Sequence, residues 1–248
     1  MKRRNTIVIA VVIALLLACG IAGQVVLSRH RPGNAPAVGE SVIATLGGFR
    51  SLAAEVIWFR ADRLQDEGRF GELVQLTSML TWLEPHDAEV WTYSAWNLAY
   101  NVSCRMPRVE DRWSWVHAGI RLLRDEGLKW NPTEANIYRE LAFMFELKVG
   151  TDKFDPDARL YQEEWRRIVE DVQVRGAWDE IGMDPAKMAE VEAAYDISDW
   201  TNAEASAIYW AHLGIPHASG HMKLLLQETI RQARILYDDP NRKDAPAE

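Results

Sequence analysis

Three histidines, His212, His217 and His221, fall within the run HLGIPHASGHMK. His217 and His221 are four residues apart, so on one helix they would share a face. With His212 they would supply the three convergent donors that a metal site commonly needs. Pro216 and Gly220 break any continuous helix across the run, so surface or capping roles are the plainer expectation, and neither a resident metal nor another cofactor is expected. The acid pairs Glu163-Glu164 and Asp238-Asp239 are the candidates for paired-carboxylate acid–base chemistry. Adjacent residues on a helix point apart, so these acids read better as solvated helix faces. Cys104 precedes Arg105, whose charge would favour the thiolate, yet an isolated cysteine is more often inert packing. The sequence holds no H-E-x-x-H, G-x-S-x-G, G-x-x-x-x-G-K-[ST] or C-x-x-C motif, and no enzymatic activity is expected. Asn101-Val102-Ser103 matches a glycosylation acceptor but lies in a helical pattern.

The composition sets the frame for these residues. With 248 residues, 48% hydrophobic and 26% charged, the chain has ordinary globular make-up, which excludes a disordered, collagen-like or polytopic membrane protein. Two cysteines, Cys19 and Cys104, cannot build a disulfide framework or a four-thiolate zinc site. Residues 1–31 carry five basic groups and no acid, so the remainder holds −13 against −8 for the whole chain. An acidic body argues against nucleic acid as a partner.

Residues 1–28 read as a membrane anchor or signal-anchor. Thr6 to Leu27 contains no charge and would span roughly 33 Å as a helix, about one hydrocarbon core. Lys2, Arg3 and Arg4 before it favour a cytoplasmic N-terminus with the body outside, although Arg29 and Arg31 on the far side weaken the contrast. Two alternatives stay open: Leu16-Leu17-Ala18-Cys19 resembles a lipobox, which would make Cys19 a lipidated N-terminus, and the segment also fits a cleaved signal peptide. Residues 29–40, rich in Pro, Gly and Ala, read as a tether.

The body, 41–237, shows no alternating strand pattern and no hairpin signal, and an all-α fold is expected. The pattern predicts helices at 41–66, 70–83, 88–103, 110–129, 134–149, 156–175, 185–195, 202–213 and 218–237, with Gly47-Gly48 a candidate break in the first. Asp155-Pro156 and Asp184-Pro185 look like helix starts, and Gly68, Gly127, Gly150 and Gly214 look like helix ends or turns. Residues 238–248 are expected to form a flexible tail.

The strongest organising feature is an internal repeat. Gly68 and Phe70 open a helix with Leu73, Thr77 and Leu80 that closes in Leu83-Glu84-Pro85; Trp91 and Ala95 follow. Asn131-Pro132 is followed by Tyr138, Leu141, Ala142 and Phe145, and a weaker echo leads from Trp200 into Ala203. This grammar resembles the tetratricopeptide repeat, over about 54–147 well, 199–237 poorly, and 150–198 not at all. Small residues such as Ala61, Ala95 and Ala142 would let paired helices approach, and the prolines would force the turns. The 47 residues from Pro85 to Pro132 exceed the family's usual length of about 34, which places extra helix or loop near Met106-Pro107. The resemblance implies an α-hairpin solenoid with residues 150–198 as a non-repeat helical insertion.

The resemblance also implies that the first helix of each unit lines a groove for peptide segments. By position that face holds Trp58, Asp62, Thr92, Trp96, Tyr100, Arg139 and Phe143. The competing expectation for each aromatic is simple core. The expected function is a membrane-anchored interaction scaffold in a bacterial envelope, binding a membrane-associated protein partner and favouring basic segments. The alternatives are a structural subunit of a membrane transport or envelope-assembly complex, using Trp165, Trp178, Trp200 and Trp210 as permanent contacts, and a metal-binding enzyme built on residues 150–221.

Overall fold

The computed structural model describes residues 38–151 and 155–239, with side chains described from residue 50. The anchor segment Thr6–Leu27, Cys19, most of the tether and the tail from residue 240 lie outside the described residues. Every regular element among the described residues is helical, and none of those helices is long and apolar enough to cross a membrane. The described residues divide into two units between Glu55 and Val56.

Nine helices can be followed among the described residues. α1 spans Val38–Asp66 and starts three residues before the expected 41. It runs unbroken through Gly47-Gly48, because glycine inside a helix costs only about 1 kcal/mol against alanine and does not forbid it. α2 spans Phe70–Leu83. α3 (Ala88–Trp96) continues through a π-helical turn, Asn97–Val102, and a 3₁₀ turn, Ser103–Arg105. α4 (Val109–Arg121) likewise continues through a π turn, Leu122–Gly127, to Trp130. α5 (Ala135–Phe143) ends in a third π turn, Met144–Val149. α6 spans Ala158–Arg175, α7 Pro185–Tyr195, α8 Ala203–Gly214 and α9 Gly220–Tyr237. The extra length between the two turn prolines lies in the extensions of α3 and α4 and the loop at Met106-Pro107.

Local chemistry sets these boundaries. The carboxylates of Asp87 and Asp184 and the amide oxygen of Asn202 accept backbone N–H groups two residues on, which caps α3, α7 and α8. Gly68 takes φ +68°, the left-handed conformation that ends α1. Asp155 makes the same i+2 bond as those caps but stands further from its helix than expected and has a second role. Its carboxylate accepts from the Asp157 backbone and pairs with buried Lys148, and α6 begins two residues later than expected. Gly127 lies inside the π turn of α4. Gly214 serves contact more than turning: a Cβ there would stand 2.8 Å from the Tyr138 Cβ, so its missing side chain lets α5 and α8 touch.

The packing is repeat-like. α2 lies on α3, α3 on α4 and α5, α5 on α8, and α8 on α9. The places picked out by the repeat grammar are buried: Ala61, Leu73, Thr77, Leu80, Trp91, Ala95, Leu141, Ala142 and Phe145. α3 and α5 repeat each other at the 47-residue spacing of Pro85 and Pro132. Trp91 Nε1 donates to the Pro85 carbonyl at 2.8 Å, and Tyr138 Oη donates to the Pro132 carbonyl at 2.8 Å. Ala95 matches Ala142, and the π turns Asn97–Val102 and Met144–Val149 coincide in the same register. Asn131 Nδ2 reaches back to the Pro85 carbonyl at 2.8 Å and ties one turn to the next. α6, in the segment where the grammar lapses, packs on α4, on the end of α5 and on α8.

Candidate functional site

Four of the seven expected groove residues surround one shallow depression. Trp58 and Asp62 come from α1, and Thr92 and Trp96 from α3, joined by Glu89 and Tyr93 of α3 and Glu140 of α5. Its volume is about 460 Å³, within the range of ~300–1,000 Å³ that small-ligand sites occupy. Glu89, Thr92, Tyr93 and Trp96 sit at i, i+3, i+4 and i+7, the spacing that places side chains on one helical stripe. Trp96 is 38% exposed, so its ring is not simple core. Trp58 meets Tyr93 edge-on with ring centroids 4.8 Å apart, and Tyr93 Oη donates to Gln65 Oε1 at 2.7 Å. Burial, with Asp62 adding to it, pushes the Tyr93 phenol up.

The other three expected residues flank the depression. Tyr100 stacks on Trp96 at 5.3 Å. Its hydroxyl is buried without a hydrogen-bond partner, and burial together with the charges of Glu140 and Glu146 pushes its phenol far up. Arg139 holds its guanidinium over the Phe143 ring at 5.3 Å and reaches Glu140 Oε2 at 3.4 Å. Glu140 Oε1 is buried and has no hydrogen-bond partner. Burial raises the Glu140 pKa, and Arg139 offsets that only in part. Glu89, Tyr93 and Glu140 were not anticipated. Extending the α3 stripe one turn back from Thr92 would have found Glu89, and the 47-residue register maps Tyr93 onto Glu140.

The three histidines do not converge. His212 faces the Tyr195 hydroxyl at 3.2 Å, and His217 stacks on Tyr138 at 5.5 Å. The chain breaks between α8 and α9 at Ile215–His217, which separates His221 from the other two. No group of three or more His, Cys, Asp or Glu side chains that could hold a metal ion occurs among the described residues. A polar cleft of about 290 Å³ lies between α6, α8 and α9, lined in part by Arg166, Glu170 and Asp199. Asp199 Oδ1 there is taken by the backbone and hydroxyl of Thr201. Trp165, Trp200 and Trp210 are buried in the core and Trp178 packs against it, so these four do not form an outward contact face. Their polar ends are used internally: Trp165 Nε1 donates to Ser206 Oγ and Trp200 Nε1 to Glu192 Oε1. Cys104 is exposed, 3.8 Å from the Lys148 ammonium. Asn101 and Ser103 bond within their own helix, to Asn97 Oδ1 and to the Ala99 carbonyl.

The chain matches no protein-family model, no curated protein and no solved structure.

Proposed function

We propose that this chain is a membrane-anchored interaction scaffold whose first helices hold a segment of a partner protein. The observation that supports the reading most is the gathering of Trp58, Asp62, Thr92 and Trp96, from two helices, around one open depression. Aromatic side chains bury much area at small entropic cost, which suits a binding surface. A charge-free stretch at Thr6–Leu27 would confine the groove to a membrane surface and raise its effective concentration toward membrane-associated partners. A bacterial envelope is the setting this arrangement suits, and the binding would be positional, with no chemical step.

A second reading, a structural subunit of a membrane complex, draws on Phe59, Met79 and Trp82, apolar side chains of α1 and α2 left in solvent, Trp82 at 76% exposure. A photo-crosslinking residue placed at Thr92 or at Trp82 in intact cells separates the two. The scaffold predicts a discrete adduct from Thr92, lost when Trp96→Ala is added while the helical circular-dichroism signal stays. A salt-resistant adduct from Trp82 alone would favour the subunit and overturn the scaffold.

A further inference from the structure

We infer that the depression on α1, α3 and α5 is an arginine subsite, taking the guanidinium of an arginine that the bound partner segment presents. This deepens the groove reading and rests on it. Glu140 is 8% exposed and lines the depression, and its Oε1, itself buried, has no hydrogen-bond partner. Buried polar atoms are nearly always paired, and an unpaired carboxylate oxygen is the costliest kind to leave. The fold does not demand it. At the matching place one unit earlier stands Tyr93, whose hydroxyl is satisfied by Gln65 of the preceding first helix. An aromatic or amide at 140 would serve packing at least as well, so the carboxylate is a departure from the local rule of the kind that marks function.

The surrounding groups select the ligand. Asp62 and Glu89 sit exposed at the rim, and Trp58, Tyr93 and Trp96 supply rings around the same space. Carboxylates beside aromatic faces favour a cation that can also stack. A guanidinium is planar, always charged and able to bond two oxygens side by side, whereas an ammonium is a strongly hydrated point charge. The chain's own Arg139 does not fill the role: it lies over Phe143 and reaches only Oε2, at a long 3.4 Å. Three acidic residues therefore line the depression, with one adjacent, already engaged guanidinium.

The test uses the full chain in non-ionic detergent, with its tryptophans labelled as 5-fluorotryptophan, and ¹⁹F signals of Trp58 and Trp96 assigned by Trp→Phe substitution. The probes are N-acetyl-arginine N-methylamide and its neutral isostere, N-acetyl-citrulline N-methylamide. The arginine probe is expected to move the Trp58 and Trp96 signals with millimolar half-saturation, and the citrulline probe to need about tenfold more. Glu140→Gln should weaken the arginine probe about fivefold or more while leaving the other tryptophan signals in place. Equal binding of the two probes, or wild-type affinity in both Glu140→Gln and Asp62→Asn, would overturn the subsite. A Thr92 adduct in cells without arginine preference would retain the groove and remove the subsite; arginine selectivity without any adduct would retain the subsite and remove the scaffold.

Discussion

Glu146 gives the most exacting check on the electrostatics of this fold. It lies in the π turn after α5, buried, with the Thr229 hydroxyl of α9 bonded to it and Glu228 close enough to repel it. Burial is the main effect and Glu228 adds to it, so the carboxyl is pushed up to about 7 from its ordinary 4.5. A carboxyl raised in the folded state holds its proton longer than in the unfolded chain. Its ionisation therefore costs nothing below about 4.5, costs progressively more from there to about 7, and the full penalty persists above that. At 1.36 kcal/mol per pKa unit the unscreened penalty is about 3.4 kcal/mol, and partial solvent screening brings it to about 2–3 kcal/mol. Glu146→Gln removes the charge, keeps an oxygen for Thr229 to bond, and turns an amide toward Glu228. Urea unfolding of both chains at pH 4.5 and pH 8 should show near-equal stability at the lower pH and a variant more stable by about 2–3 kcal/mol at the higher. Parallel profiles, with the same difference at both pH values, would refute the assignment of the penalty to this carboxylate.

His117 acts with the opposite sign. Burial, with Arg124 and Arg121 adding to it, lowers its pKa from 6.5 to about 4, so the stability it contributes is present above 6.5 and lost as pH falls toward 4; His117→Phe, which keeps the stack on Trp113, should remove up to about 3 kcal/mol of that acid-side loss in thermal melts. Gly119→Ala would bring a Cβ to 2.8 Å from the Ala95 carbonyl, while Gly71→Ala would meet nothing within 4 Å. The first should cost about 1–3 kcal/mol by urea unfolding and the second should gain about 0.5–1 kcal/mol. Lys148 and Asp155 form a buried pair, with the ammonium also over the rings of Tyr100 and Tyr161. Lys148→Met alone should destabilise by about 3–5 kcal/mol, and adding Asp155→Asn should recover most of it in the same assay.

The features legible from sequence were those fixed by short-range chemistry. Aspartate before a helix, proline after one, and small residues at the crossing points all act through neighbours a few residues away, and Asp184, Pro85, Ala95 and Ala142 stand where that reading put them. The gathering of Trp58, Asp62, Thr92 and Trp96 around one depression was readable for the same reason, since it follows from helix period once the repeat is in register. The places where reading failed involve partners distant in sequence. The sequence signals Asp155 as a capping acid but not its buried pairing with Lys148, and Gly214 looks like a helix end until Tyr138 and Leu226 are seen against it. The tryptophans of residues 165–210 resemble a contact face in sequence because burial depends on how α6, α7 and α8 close on one another.

The π turns show why a regular helical period misplaces the residues beyond Trp96 and Phe143. Each π turn admits one residue more than an α turn and so rotates the residues beyond it around the helix axis. In α3 the turn begins immediately after Trp96, and in α5 immediately after Phe143. In α3 the helical stripe up to Trp96 keeps its phase and faces the depression; beyond the π turns the helices are turned, with the Tyr100 hydroxyl buried and Glu146 bonded by Thr229. A straight 3.6-residue period continued past Trp96 or Phe143 therefore assigns faces wrongly. In α3 the depression's lining ends at Trp96, where the phase shifts, and Tyr100 stacks on Trp96 without lining the depression. If Trp96 is held by that stack, Tyr100→Phe, which keeps the ring and removes the unpaired hydroxyl, should leave the Trp96 ¹⁹F signal in place, whereas Tyr100→Ala should shift and broaden it. Equal behaviour of the two variants would show that the ring of Tyr100 does not position the groove.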